Sequence, residues 1–172
     1  MYKIKTHSLL LVAAMTFLSA CNDNKKSTQD TPITATKVEP IQQAHIYETD
    51  IPYDEAKDGV EMAITDLGLI ISGTMHISDM LNRTGKDIGI EKPIFKNAEG
   101  IEFCSAIHSH KMSQSHPSNI AMCPFTIVIY EKNDVPNKTF LSFRDVKLMG
   151  DGTTVETEIF DLLEGVVKEV ID

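Results

Sequence analysis

The C-terminal segment, residues 153–171, constrains the fold most, because it carries an unbroken apolar stripe at helical spacing. The stripe consists of Val155, Ile159, Leu162, Leu163, Val166, Val167 and Val170. Thr153 and Glu156 have the spacing of a capping box, which begins many helices. The segment therefore predicts an amphipathic helix whose apolar side covers another layer.

A second amphipathic helix is predicted near the start of the domain, over residues 52–67. Asp54 and Glu55 fall in its first turn, where acidic side chains interact favourably with the helix dipole. Gly68 stands where a helix-ending glycine belongs. Two long helices with one apolar side each require a sheet or a further helix to cover.

Between these helices the sequence alternates strands with short helices. Strands are predicted over residues 41–49, 69–77, 101–107, 120–132 and 138–148, short helices over 78–84 and 108–115, and a loop over 86–100. The short connection from Tyr130 to Lys138 is typical of an antiparallel hairpin. The prediction is an α+β fold, a two-layer sandwich with helices on one face of a mainly antiparallel sheet.

The N-terminus has the pattern of a secretion signal. Lys3 and Lys5 precede an apolar run, residues 8–18, that is too short to span a bilayer. The run ends in Leu18-Ser19-Ala20-Cys21, which resembles the bacterial lipobox. The resemblance implies a signal peptide over residues 1–20 and palmitate-type acyl chains on Cys21. Several such chains would anchor the protein firmly to a membrane.

The residues after Cys21 predict a tether and a location. Residues 22–40 are polar, without apolar periodicity, so we expect residues 21–40 to form a flexible tether and residues 41–172 a single domain. By the usual sorting rule for bacterial lipoproteins, Asn22 favours the outer membrane, since Asp at this position retains a lipoprotein at the inner membrane. The protein is therefore expected in the cell envelope, facing the periplasm.

The acidic charge balance argues against two kinds of partner, nucleic acid and an anionic lipid surface bound through basic patches. The chain has 16 basic and 25 acidic residues in a length of 172, for a net charge of −9. Removal of residues 1–20 leaves 14 basic residues and a net charge of −11. Nucleic-acid affinity comes largely from Lys and Arg contacts with phosphates, so a nucleic-acid partner is not expected.

The centre of the domain carries a family resemblance. Phe103-Cys104-Ser105-Ala106, residues 117–120 and the run Met122-Cys123-Pro124-Phe125 to Glu131 resemble domain-of-unknown-function family 302. The match extends from about Tyr53 to Asp172. The resemblance implies an α+β fold with an antiparallel sheet and a homodimer as one assembly, but no established activity.

Sulfur and imidazole groups are the candidate chemistry. Cys104 and Cys123 remain once Cys21 is lipidated, and the envelope permits disulfides. The other soft ligands nearby are His108, His110, Met112, His116 and Met122. These residues leave three alternatives open: a disulfide or redox pair, two inert buried thiols, or a site for a metal ion or haem.

The sequence therefore gives a location more clearly than an activity. It contains no Walker A loop, GxGxxG, GxSxG or HExxH, so no catalytic residue is predicted, no cofactor is required and a non-enzymatic role is favoured. The leading interpretation is a lipid-anchored binding or accessory module for an unknown small ligand or envelope protein. The alternative is a redox or metal-handling protein that uses Cys104, Cys123 and the histidines. An enzyme with a site that one sequence does not reveal is the third interpretation.

Overall fold

A computed structural model describes residues 44–172, which lie within one compact unit. The predicted signal peptide, Cys21, the tether and the first three residues of the first predicted strand lie outside the described residues. No helix among residues 44–172 has both the length and the apolar character to cross a membrane.

The described residues form five strands and four α-helices. The strands are β1 (Ala44–Thr49), β2 (Ile70–His76), β3 (Phe95–Cys104), β4 (Phe125–Lys132) and β5 (Thr139–Arg144). The α-helices are α1 (Tyr53–Asp66), α2 (Ile77–Gly85), α3 (Ala106–Ser115) and α4 (Thr153–Ile171), and 3-10 helices cover Lys86–Ile88 and Pro117–Met122.

The strands form one antiparallel sheet in the order β1-β5-β4-β3-β2. The predicted hairpin is confirmed, because β4 and β5 pair directly with Val128 opposite Ser142. The longest strand, β3, lies inside the sheet between β4 and the edge strand β2. The α+β fold with an antiparallel sheet is likewise confirmed.

The core lies between the sheet and the two long helices, which pack against each other. Its fully buried members include Val60, Ile64, Ile101, Phe103, Ile127, Ile129, Leu141, Ile159, Val166 and Val167. Gly100 points to the opposite face, where Ile77 at the start of α2 and Met75 reach over it. A Cβ at Gly100 would lie 2.8 Å from the terminal methyl group of Met75, so the Met75 side chain would have to shift to make room for it.

Several predicted boundaries are wrong. The predicted loop over 86–100 contains a 3-10 helix and the first half of β3, which begins at Phe95 opposite Lys132. The strand predicted from Ile101 to Ile107 ends at Cys104, because Ser105 caps α3 and turns the chain. The strand predicted from Ile120 begins only at Phe125, since Pro117 starts a 3-10 helix instead. Pairing with β4 extends β3 beyond its apolar run, whereas helix starts at Ser105 and Pro117 shorten the other two strands.

The helix ends confirm one prediction and correct another. Gly68 follows α1 with a φ of 71°, as a helix-ending glycine should. The predicted capping box is wrong, because Gly152 is the N-cap of α4 and Thr153 is already helical. Glu156 Oε1 instead accepts a hydrogen bond from the Leu148 amide at 2.6 Å. The carboxylate therefore holds the chain leading to α4 rather than the end of the helix.

Candidate functional site

The candidate site is built around Cys104, the last residue of β3. Cys104 pairs with Ile70 of the edge strand and its side chain is exposed. The next residue, Ser105, is the N-cap of α3 and accepts a hydrogen bond from the His108 amide. The first thiol thus lies at the end of an inner strand, just before α3 begins.

Cys123 lies two residues before the start of β4 and is half-buried. Its Sγ is 3.0 Å from the Oγ of Ser109, which α3 presents one turn after Ser105. The adjacent strands pair Phe103 with Phe125, so the residues that flank this pair come to the same end of the sheet. The register therefore explains why two cysteines that are distant in sequence meet.

The two cysteines are free thiols, and Cys104 affects the pKa of Cys123. Burial is the main cause that raises the pKa of the Cys123 thiol. The hydrogen bond with Ser109 opposes this effect, whereas the charge and hydrogen bond of the neighbouring Cys104 thiol add to it. Cys123 is therefore held as a neutral thiol near pH 7, next to a second thiol that solvent reaches.

His108 belongs to the same helix but is directed elsewhere. Its Nδ1 lies 2.8 Å from Ser105 Oγ, and its Nε2 lies 3.9 Å from Glu158 on α4. Burial lowers the pKa of His108, the Glu158 carboxylate opposes that shift, and the Lys111 ammonium adds to it. The imidazole is therefore neutral near pH 7.

The other predicted ligands do not converge. Met112 is fully buried in the core and Met122 packs against it, whereas His110 is exposed. His116 ends α3, and its Nδ1 accepts a hydrogen bond from the Ser118 amide. Within residues 44–172, no group of three or more His, Cys, Asp or Glu side chains is arranged to hold a metal ion. Of the seven predicted residues of the domain, Cys104 and Cys123 are brought close enough for the first to affect the pKa of the second.

Ser105 and Ser109 are the site residues that sequence reasoning missed. The sequence does hold a signal for Ser105, because serine is a preferred N-cap residue and could mark the start of α3. Ser109 follows four positions later, on the same side of the helix. That spacing identifies the face of α3, but only the fold shows that Cys123 lies against it.

A second polar cluster, also not predicted, centres on Glu99 of β3. Its carboxylate contacts Lys57 Nζ at 2.8 Å and His76 Nδ1 at 2.5 Å. Burial alone would raise the pKa of Glu99, but the hydrogen bonds from Lys57 and His76 outweigh it and hold the pKa below the usual value. Because α1, β2 and β3 each supply one of these residues, the cluster ties the long helix to the sheet.

Comparison with known protein families shows which family the domain belongs to. The family model described as "Domain of unknown function DUF302" matches residues 45–170, most of the chain. The chain belongs to the DUF302 family. This result confirms the resemblance noted in the sequence.

A solved DUF302 structure has a similar fold. The crystal structure of an uncharacterized conserved DUF302 protein from Bacillus stearothermophilus aligns with a TM-score of 0.61. The alignment covers 74% of this chain and 97% of that one, at 13% sequence identity. At this identity the likeness establishes the fold alone. No curated protein matches the chain.

Proposed function

We propose that this protein is a lipid-anchored envelope protein whose DUF302 domain exchanges disulfides through Cys104 and Cys123. The carrying observation is that the pairing of Phe103 with Phe125 brings the two free thiols to the same end of the sheet, close enough for Cys104 to affect the pKa of Cys123. The lipobox at Leu18–Cys21 supports an oxidising location outside the cytoplasm, where a thiol pair can cycle. The geometry therefore favours the redox alternative over a simple binding module.

The exposure of the two thiols suggests their order of reaction. Cys104 is exposed, so its thiolate attacks one sulfur of a disulfide in a partner protein. The attack forms a mixed disulfide and releases the other partner sulfur as a thiolate, which takes up a proton. Cys123 then loses its proton to solvent and attacks the Cys104 sulfur. The products are a Cys104–Cys123 disulfide and a partner dithiol, so one disulfide is reduced while another forms.

Ser109 has a defined part in the second step. Burial opposes ionisation of Cys123, and the hydrogen bond with Ser109 Oγ favours it. A serine hydroxyl can donate to a thiolate and stabilise its charge. Ser109 is therefore a positioning residue for the attack of Cys123, and it forms no covalent bond in the exchange.

Trapping of the mixed disulfide tests this order. Lipidated full-length protein in detergent is mixed with a disulfide-containing peptide, and adducts are measured by mass spectrometry. Cys123→Ser should accumulate the mixed disulfide on Cys104, whereas Cys104→Ser should form little adduct. The unsubstituted protein should lose both free thiols together. Two thiols that stay free in oxidised glutathione would contradict the proposal.

The anchoring part is tested separately. Cys21→Ala should abolish labelling with a fatty-acid analogue and release the protein from the membrane fraction. Cys104→Ser is the matched control, since it removes a cysteine from the domain and leaves the lipobox intact. Lipid labelling that survives Cys21→Ala would contradict the anchor.

A further inference from the structure

The surface between α1 and α4 carries a groove that the candidate site does not use. Two depressions form it, of about 720 and 770 Å³ including the space open to solvent. Both are lined by Ala63, Asp66 and Glu169, so they are parts of one feature, which we name the α1–α4 groove. Its α1 wall belongs to a helix of 14 residues, which is about 21 Å long. The groove is therefore long enough to take a helix of about four turns.

The α1–α4 groove has an apolar floor and apolar edges. Ala63 and Val166 are buried at its base, and Leu162 is half-buried beside them. Met62 and Leu67, on the side of α1, are 62% and 56% exposed. Large exposed apolar side chains around an apolar floor favour a partner that has an apolar side of its own.

Gly165 keeps the middle of the groove open. It lies in the interior of α4, where glycine weakens a helix relative to alanine. No atom of a neighbouring element among the described residues lies within 4 Å of the position that a Cβ would take. Packing within residues 44–172 therefore does not require glycine here. A residue without a side chain instead lets the backbone of another element approach closely, which points to an occupant of the groove.

The lining of the groove is acidic. All its charged side chains are carboxylates, and none forms an ion pair with another residue between 44 and 172; they are Glu55, Asp58, Asp66, Asp161 and Glu169. The two helices carry five acidic residues and one basic residue each. The basic ones contact other carboxylates, Lys57 that of Glu99 at 2.8 Å and Lys168 that of Glu164 at 3.0 Å. The groove therefore presents negative charge beside an apolar floor.

We propose that the α1–α4 groove binds a basic amphipathic helix of a partner protein. The apolar side of such a helix covers the floor, and its Lys and Arg side chains face the carboxylates of both walls. A third helix packs against a helix pair by placing its side chains between theirs, and Gly165 allows a close approach. The inference depends on neither the lipid anchor nor the thiol exchange.

Charge argues against other occupants of the groove. A two-fold dimer through it would bring the same carboxylates of both chains together. An anionic bilayer would repel them for the same reason. Within residues 44–172, no group of three or more His, Cys, Asp or Glu side chains is arranged to hold a metal ion. A positively charged helix is the occupant that matches both the charge and the shape.

Peptide binding in solution tests the proposal. The probe is a fluorescent peptide of about 14 leucine and lysine residues, with the leucines on one side of the helix. Its anisotropy is measured as the mature chain is added, made without its signal peptide and carrying Cys21→Ala. We expect binding that weakens with salt, and at least about tenfold weaker binding of a peptide with the same composition in scrambled order. Gly165→Gln should also weaken binding about tenfold, because the new side chain fills the groove while favouring the helix.

Matched variants separate the groove from the general acidity of the protein. Thr154→Gln, at an exposed position of α4 outside the groove, is the control for Gly165→Gln and should leave binding unchanged. Asp66→Asn combined with Glu169→Gln should weaken binding severalfold. Asp87→Asn combined with Glu91→Gln makes the same change in net charge at exposed positions elsewhere, and should have a much smaller effect. Circular dichroism checks that each variant is folded.

Four results would overturn the inference. They are absent binding by the parent chain, unchanged binding after Gly165→Gln, equal losses in the two double carboxylate variants, or a dimer in sedimentation that Gly165→Gln abolishes. The last result would assign the groove to a second copy. Failure of the thiol exchange would appear in the adduct measurements with peptide binding intact, so the two failures are distinguishable.

Discussion

The Ser109 hydroxyl and the Cys123 thiol lie 3.0 Å apart and join α3 to the segment that enters β4. The hydrogen bond lowers the pKa of Cys123 against the effect of burial. The pKa of the Cys123 thiol therefore depends on a side chain of α3, which is a different element from the segment that carries Cys123.

Removal of the Ser109 hydroxyl should make Cys123 less reactive. In a Cys104→Ser background, Ser109→Ala removes the hydrogen bond that favours the thiolate, so the pKa of Cys123 rises further. The rate of iodoacetamide alkylation near pH 8 should fall severalfold, and the midpoint of its pH profile should move upward. Ser113→Ala, one turn along α3, is the control. An unchanged profile would show that Ser109 does not tune the thiol.

Loss of the Asn119 amide should destabilise the domain strongly. The side chain is buried, donates to the carbonyls of Met112 and Met149, and accepts from the Met149 amide at 2.8 Å. Asn119→Ala removes three hydrogen bonds at a buried position and takes the Asn119 partner from both backbone groups of Met149, so the free energy of unfolding should fall by about 2–4 kcal/mol in urea denaturation.

Asn133→Ala is the matched control for that experiment. Its side chain makes an exposed hydrogen bond to the Pro93 carbonyl, so we expect a loss below about 1 kcal/mol. Equal losses in the two variants would contradict the importance of burial.

Two glycines with similar backbone angles should respond differently to alanine. Gly150 has a φ of 75°, and an added Cβ would lie 2.4 Å from the Ser115 carbonyl oxygen. Gly68 has a φ of 71° but no atom within 4 Å of that position. Gly68→Ala should cost about 1 kcal/mol from backbone strain alone. Gly150→Ala should cost at least about 2 kcal/mol more, since the contact with α3 must move. Thermal melts of both variants measure these costs. Equal losses of stability in the two variants would show that the contact with the Ser115 carbonyl is unimportant.

The Glu99 cluster should make stability depend on acid pH. Because the pKa of Glu99 is lowered in the folded state, its contribution is present above the unfolded pKa. The contribution is lost as pH falls from about 5 through the folded value. Glu99→Gln should therefore lower stability at pH 7 and converge with the parent protein at low pH. Urea denaturation across pH checks this, with Glu102→Gln on the same strand as control. A constant difference at all pH values would contradict it.

Sequence periodicity predicted the fold well where one side of an element is buried. Both long helices follow from apolar spacing, the hairpin follows from the short connection between Tyr130 and Lys138, and Gly68 ends α1 where expected. The beginning of β3 was missed because Phe95 to Glu99 lack an apolar run, and pairing with β4 forms that half of the strand. Glu156 was misassigned because spacing alone does not show that Leu148 is near.

The site could be predicted only in part. Compartment and residue type identified Cys104 and Cys123, and the sheet register brings them together. Met112 was chosen for its thioether, but its side chain fills the core. The roles of Ser109 and Glu99 depend on contacts between distant elements, which no local pattern encodes.

The packing of α1 against α4 has a consequence for biogenesis. The first helix of the domain finds its partner in the last, and β1 pairs with β5 through Ala44 and Arg144. A chain that emerges N-terminus first therefore cannot close its core until the final 19-residue helix is available. Delayed closure keeps the nascent polypeptide unfolded for longer, which is the state that the proposed export through a narrow translocation pore would need.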